Sequence, residues 1–107
     1  MSIYVFDLDG TLCSDTKGDY QAAKPHVNRI KVVNTLYSEG HSIVISTARG
    51  MGSSKNNREF AENTWLAITS EQLNKWGILH HELHLGKPAG DFYIDDKAIS
   101  DSDFFTR

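Results

Sequence analysis

A single cysteine, Cys13, is all the thiol chemistry the sequence carries. One cysteine excludes an internal disulfide framework and fits a reducing compartment, so a cytoplasmic setting is expected. Proline is nearly as scarce: Pro25 and Pro88 are the only two, and both fall where elements should begin or end. No stretch is long and apolar enough to span a bilayer. The start of the chain lacks the basic region and hydrophobic core of a secretion signal. Positive charge is not in surplus. Eleven Lys and Arg stand against fourteen Asp and Glu, for a net charge of -3, which gives no general footprint for nucleic acid. No repeat, linker or low-complexity tract divides the 107 residues, and that length suits one domain, 1–107.

What is present is concentrated at the start, in Ile3-Tyr4-Val5-Phe6-Asp7-Leu8-Asp9-Gly10-Thr11-Leu12. The apolar run reads as a buried strand over Ile3 to Leu8. Such a strand normally ends in turn residues, not in two acids one residue apart. Two like charges there repel, and both are costly to desolvate. A divalent cation would remove that cost, so the stretch asks for a metal. The bland reading, two turn acids, fits typical Asp usage but explains nothing else in the chain.

The rest of the chain alternates. Pro25 suits a first helical turn, and Val27, Ile30, Val33, Leu36 and Tyr37 recur at helical spacing up to Gly40. Ser42 to Thr47 reads as a second strand, followed by a polar loop from Ala48 to Asn57. Phe60 to Trp76 is helical in pattern, with Trp65, Ile68, Leu73 and Trp76 as core candidates. Thr69 with Gln72 resembles a capping box and favours a fresh helix start there. His81 to Leu85 reads as a third strand, Phe92 to Ile94 as a short fourth, and Lys97 to Phe105 as a closing helical turn or two. Strands separated by helices predict an α/β domain, a parallel sheet with helices on both faces. Four strands are few for such a sheet, so a further element or a partner subunit is expected.

In an open α/β sheet, ligands sit beyond the carboxyl ends of the strands. Those ends carry Asp7 and Asp9; Ser46, Thr47 and Arg49; Lys87; and Asp95 with Asp96. Four carboxylates, hydroxyls and a lysine suit a hard, oxygen-ligated cation such as Mg²⁺ and a bound phosphoryl group. This ordered set resembles the haloacid dehalogenase (HAD) superfamily. Asp7-Leu8-Asp9-Gly10-Thr11-Leu12 is similar to its first motif, and Thr47 within Ile45-Ser46-Thr47-Ala48-Arg49 to its second. Gly86-Lys87-Pro88 is similar to the third and Tyr93-Ile94-Asp95-Asp96-Lys97 to the fourth. Ala48 stands where the family often has Gly. The Lys-Pro and Ile-Asp-Asp-Lys-Ala segments look most like small capless members, the capsule-biosynthesis type.

The resemblance implies a Rossmann-like HAD core without a cap domain, and a Mg²⁺-dependent phosphatase. Asp7 would be the nucleophile that forms an aspartyl-phosphate. Asp9 would protonate the leaving oxygen and then deprotonate the hydrolytic water. Thr47 and Lys87 would bind and neutralise the phosphoryl group, with Gly10, Thr11 and Ala48 as further substrate contacts. Arg49 would either contact substrate as well or pair with an acid. Mg²⁺ would be held by Asp7, the Asp9 carbonyl and Asp95, with Asp96 reaching it through water or orienting the shell. The substrate would be a phosphorylated small molecule, such as a sugar phosphate, or a phosphate-bearing polymer, nucleic acid ends included. An uncapped site implies either a bulky substrate or a neighbouring subunit as lid, and a homo-oligomer is expected.

Other readings of single residues are blander. His80, His81 and His84 lie across a strand with no fourth ligand, and a structural role fits them better than zinc. Cys13 beside the first motif is read as a packing residue. Trp65 and Trp76 are read as core, with Trp65 the better placed to overhang the site. A receiver-like domain that stores phosphate on Asp is the alternative in another class; there the acidic pair follows the first strand, whereas here it comes last. A silent phosphate-binding module is a third.

Overall fold

A computed structural model describes residues 1–106; Arg107, the last residue of the expected domain, lies outside the described residues. Strand β1 covers Ile3–Phe6, β2 Ser42–Thr47 and β3 Glu82–Leu85, and helices α1, α2 and α3 cover Val27–Ser38, Arg58–Lys75 and Asp101–Phe105. The three strands are parallel and lie in the order β1-β2-β3. Among the described residues no helix is long and apolar enough to cross a membrane.

The elements form for local reasons. In β2, Ile43, Ile45 and Thr47 are buried while Ser42, Val44 and Ser46 are half-buried, the period of two that a strand imposes. In α1, Ile30 and Val33 turn inward, with Leu36 and Tyr37 packed alongside. Gly40 at φ +96° ends that helix and lets the His41 N–H reach the Leu36 carbonyl at 3.1 Å. In α2 the Asn57 side chain accepts from the Phe60 N–H and caps the start. Asn34 ties α1 to the approach of β3: its Nδ2 donates to the Gly77 carbonyl, and its Oδ1 accepts from the Leu79 N–H.

All the buried sheet residues belong to one face. Phe6, Ile43 and Ile45 join Ile30, Val33 and Leu73 in one cluster, and Tyr4 and Leu83 pack against it. On the other face Ile3 is 72% and Val5 64% exposed, and Glu82 and His84 are exposed too. The helices expected on both faces therefore cover one. The reason is topological. Right-handed crossovers from β1 to β2 and from β2 to β3 step in the same direction, so α1 and α2 fall on the same side. Helix α3 joins them there through Phe104 and Phe105, whose rings lie 5.7 and 6.1 Å from that of Phe6.

The expected fourth strand is not formed. Phe92 to Ile94 has no ladder partner among the described residues, and Phe92 is 84% and Ile94 98% exposed. Six residues, 86–91, separate β3 from it. A parallel return in the same sheet takes roughly a dozen or more. The fresh helix start near Thr69 is likewise absent, because α2 runs unbroken through it.

Candidate active site

The chain leaves β1 through a tight turn built on one carbonyl. The Leu8 C=O accepts from the N–H groups of Thr11, Leu12 and Cys13 at 2.8–3.3 Å, and the Gly10 N–H donates to the Cys13 carbonyl at 2.8 Å. Gly10 adopts φ +85°, a conformation that strains any residue with a side chain. Leu8, Leu12 and Cys13 are fully buried and pin the turn. With Phe6 and Leu8 inward, Asp7 and Asp9 take the alternate positions.

The two acids then meet different cations. Lys87 Nζ lies 3.3 Å from Asp7 Oδ1, and the Thr11 hydroxyl donates to Asp7 Oδ2 at 3.3 Å. Arg49 grips Asp9 with a fork: Nε donates to Oδ2 at 2.9 Å and Nη2 to Oδ1 at 3.0 Å. The Arg49 side chain is fully buried. Its Nη1 donates to Thr69 Oγ1 and to Gln72 Oε1 on α2, and the Tyr20 ring lies 4.9 Å from the guanidinium carbon. Gln72 in turn donates to the Tyr20 carbonyl at 2.8 Å. The repulsion at the strand end is thus balanced by protein cations, one per carboxylate, before any metal is considered.

An open cleft of about 400 Å³ lies over these groups, lined among others by Asp7, Asp9, Thr47, Ala48, Lys87 and Tyr93. Thr47, not Ser46, faces it, and Thr47 Oγ1 accepts from the Arg49 N–H at 3.2 Å. The Lys87 N–H donates to the Thr47 carbonyl, which ties the loop after β3 to the end of β2. Arg49, expected against substrate or an acid, also lines the cleft, and its guanidinium bonds Asp9, Thr69 and Gln72. Gly10 and Thr11 do not line this cleft; Gly10 borders a separate one at the start of α1, with Pro25 to Arg29. Trp65 does not line the cleft but packs edge-on against Tyr20, which does, centroids 4.7 Å apart.

Asp95 and Asp96 are not brought to Asp7 and Asp9. Both are exposed, and among the described residues no three His, Cys, Asp or Glu side chains converge as a metal site would require. Asp95 accepts from the Lys97 N–H at 3.0 Å, and that bond holds its carboxyl below the usual carboxylate range. The donor set expected for Mg²⁺ is therefore incomplete within one copy. The physical cause is the missing fourth strand, which was to carry these acids to the site. The three histidines are occupied locally: His80 Nδ1 bonds the Ile78 carbonyl, His81 Nδ1 accepts from the Ile43 N–H, and His84 Nε2 meets Glu82.

Cys13 is sealed beneath the turn. Its Sγ donates to Asp9 Oδ1 at 3.4 Å, and burial together with the Asp9 charge pushes the thiol up to about 12 from 9.0. The native thiol therefore stays protonated where an unfolded one ionises. Stability from this group is complete below pH ~9 and falls as pH rises from there towards 12. We expect no alkylation of Cys13 by iodoacetamide at pH 8.5 in native buffer and rapid alkylation in urea, read by mass spectrometry. Native labelling at the denatured rate refutes this packing role.

A family model described as haloacid dehalogenase-like hydrolase matches residues 4–77. The chain belongs to that family. A crystal structure of a target protein from Vibrio cholerae is 34% identical to this HAD-like hydrolase, with a TM-score of 0.91, covering 100% of this chain and 89% of that one. A chain of the Pnkp1/Rnl/Hen1 complex shares the fold at 18% identity and a TM-score of 0.60, over 89% of this chain and 31% of its own length. Comparison with curated protein sequences gave no significant match. Among the described residues the HAD-like core shows no cap: the segments between its strands are used by α1, α2 and the turns that support the cleft.

Proposed function

We propose that this HAD-like hydrolase is a phosphomonoester phosphatase that works through an aspartyl-phosphate on Asp7. One observation carries the reading: the Asp7 carboxylate opens onto the cleft with Lys87 Nζ 3.3 Å away, at the strand end that the family uses for its first motif. A carboxylate is ionised at neutral pH and needs no base to attack. An Asp7 oxygen attacks phosphorus, the bond to the leaving oxygen breaks, and that oxygen takes a proton. Water then attacks the acyl phosphate and returns Asp7 as a free carboxylate. In this reading Lys87 offsets the phosphoryl charge, and the Thr47 hydroxyl donates to a phosphoryl oxygen.

Asp9 is the proton carrier in this scheme. Arg49 fixes its plane, and Oδ2 accepts only one of the fork's hydrogen bonds, which leaves it a lone pair for a proton. The family implies Mg²⁺. Within one copy the carboxylates do not suffice to hold it, so no step here is assigned to the ion. The substrate class in this reading is a sugar phosphate or the phosphorylated end of a polynucleotide, since an uncapped cleft admits either.

The test is phosphate release, with and without Mg²⁺, across sugar phosphates, nucleotides and 3′- or 5′-phosphorylated oligonucleotides. Turnover of at least one class is expected, and none on any would end the phosphatase reading. Lys87→Met should lower kcat/KM by roughly 10²–10³, the loss typical of one charge-stabilising group. Its melting temperature should move little, because the Lys87–Asp7 pair is partly exposed. Undiminished kcat/KM in that variant removes Lys87 from the site.

A further inference from the structure

The incomplete carboxylate set and the unpaired fourth segment have one common solution. Strand β1 is an edge: it pairs with β2 alone among the described residues, so its outer row of N–H and C=O groups has no strand partner. Unpaired edges of this kind template the addition of another strand. Next to that edge Ile3 and Val5 are 72% and 64% exposed, on the sheet face that no helix covers. The same chain carries a run of strand-forming residues, 92–94, that takes no regular secondary structure in the single copy. Tyr93 turns towards its own loop, where its hydroxyl bonds the Pro88 carbonyl and accepts from the Gly90 N–H. Its neighbours Phe92 and Ile94 are 84% and 98% exposed.

The run cannot serve its own β1 usefully. A parallel placement needs roughly a dozen connecting residues, and 86–91 supply six. Six residues suffice to turn the chain back. A segment that turns back runs antiparallel to all three strands, because these are parallel to one another. On its own β1 it would deliver Asp95 and Asp96 to the end of the strand away from Asp7. A second copy related by a two-fold axis normal to the strands is inverted. For that copy the same short turn makes the segment parallel to β1, and the two acids finish at the end where Asp7 sits.

We propose that two copies of this chain exchange their 92–96 segments, each adding a strand to the other's β1 edge and bringing Asp95 and Asp96 beside the other's Asp7. The role of the delivered acids rests on the phosphatase reading; the exchange itself does not. The contact is isologous, so each apolar segment and each receiving edge counts twice. With two aromatic rings and an isoleucine from each copy, the buried area comes to roughly 1,000–1,500 Å², within reach of a stable dimer. Each active site then takes its nucleophile, lysine and Asp9–Arg49 pair from one copy and its remaining carboxylates from the other.

Two measurements decide it separately. Sedimentation velocity on the full chain should give a dimer, and Ile94→Glu should give a folded monomer, since Ile94 is exposed in the single copy. Lys31→Glu, on the exposed side of α1, should remain dimeric. A monomeric wild-type chain, or a dimer that survives Ile94→Glu, overturns the exchange whether or not the protein turns over phosphate. The second measurement mixes Asp7→Asn with Asp95→Asn by co-expression under two different tags. Each variant alone should be nearly inactive. Doubly purified heterodimers should recover about half of wild-type activity, because one of their two sites then has both acids. Heterodimers as silent as the parents overturn the delivery of Asp95 in trans. A wild-type dimer with no phosphatase activity would refute the proposed function instead, and the first measurement would still decide the exchange.

Discussion

Replacing Arg49 with Met is expected to destabilise the protein by about 3–4 kcal/mol, the range found when one partner of a buried ion pair is removed. The arginine side chain is fully buried, and it is the group that faces both Asp9 oxygens. Its loss leaves a carboxylate that is only 17% exposed without a cation, and leaves Thr69 Oγ1 and Gln72 Oε1 without their donor. For a domain of this size that is a drop in Tm of roughly 12 °C or more. Asp9→Asn combined with Arg49→Met should recover a large part of the loss, since an unpaired buried charge is worse than no pair at all. Arg49→Lys should not recover it, because an ammonium has no planar fork to span both oxygens. Urea unfolding of the four proteins checks this. An Arg49→Met variant within 1 kcal/mol of wild type would show that the fork carries no stability.

That pair also shows where the sequence was legible and where it was not. Asp7, Thr47 and Lys87 could be placed because each stands at or just beyond a strand end, and the motif order of the resemblance chose Thr47 over Ser46 and singled out Lys87. The structure brings all three to one cleft. That Arg49 pairs with an acid was one of its two readings, but which acid it meets was not legible. Arg49 lies 40 positions from Asp9, and its anchors Thr69 and Gln72 carry a spacing with two meanings. Three residues apart is the spacing of a capping box, and it is also the spacing of neighbours on one face of an unbroken helix. The first meaning predicts a fresh helix start at Thr69; the structure uses the second to hold the arginine. A hydroxyl and an amide at such spacing, with an arginine just after a strand end, is the signal that could have pointed to it.

The fourth strand failed for a different reason. Phe92-Tyr93-Ile94 has the right residues for a strand, but pairing is a property of the connection as well as of the segment. Counting the six residues from 86 to 91 would have excluded a parallel return. The same kind of count governs the layers. Consecutive strand order with right-handed crossovers puts α1 and α2 on one face, and no composition or periodicity reveals that. What the small number of strands did suggest was a further short element or a partner subunit.

Asp7→Asn should show the opposite split from Arg49→Met: turnover lost by at least 10³-fold, stability nearly unchanged. The Asp7 side chain is 36% exposed, and its lysine partner 24%, so their pair lies in solvent reach and contributes about 1 kcal/mol or less to folding. Asparagine keeps the size and still accepts from the Thr11 hydroxyl, so the turn after β1 has no cause to open. What it lacks is the negative oxygen that attacks phosphorus, and neither Asp9 nor Cys13 beside it can replace that oxygen. Asp9 is turned into the Arg49 fork, and Cys13 is a buried thiol that stays protonated. Acid quench of the wild-type protein during turnover should leave a phosphoryl group bound to the protein, and the Asp7→Asn protein should carry none. Retained turnover in Asp7→Asn, with the same Mg²⁺ dependence as wild type, would remove Asp7 as the nucleophile and with it the division of labour between the two acids.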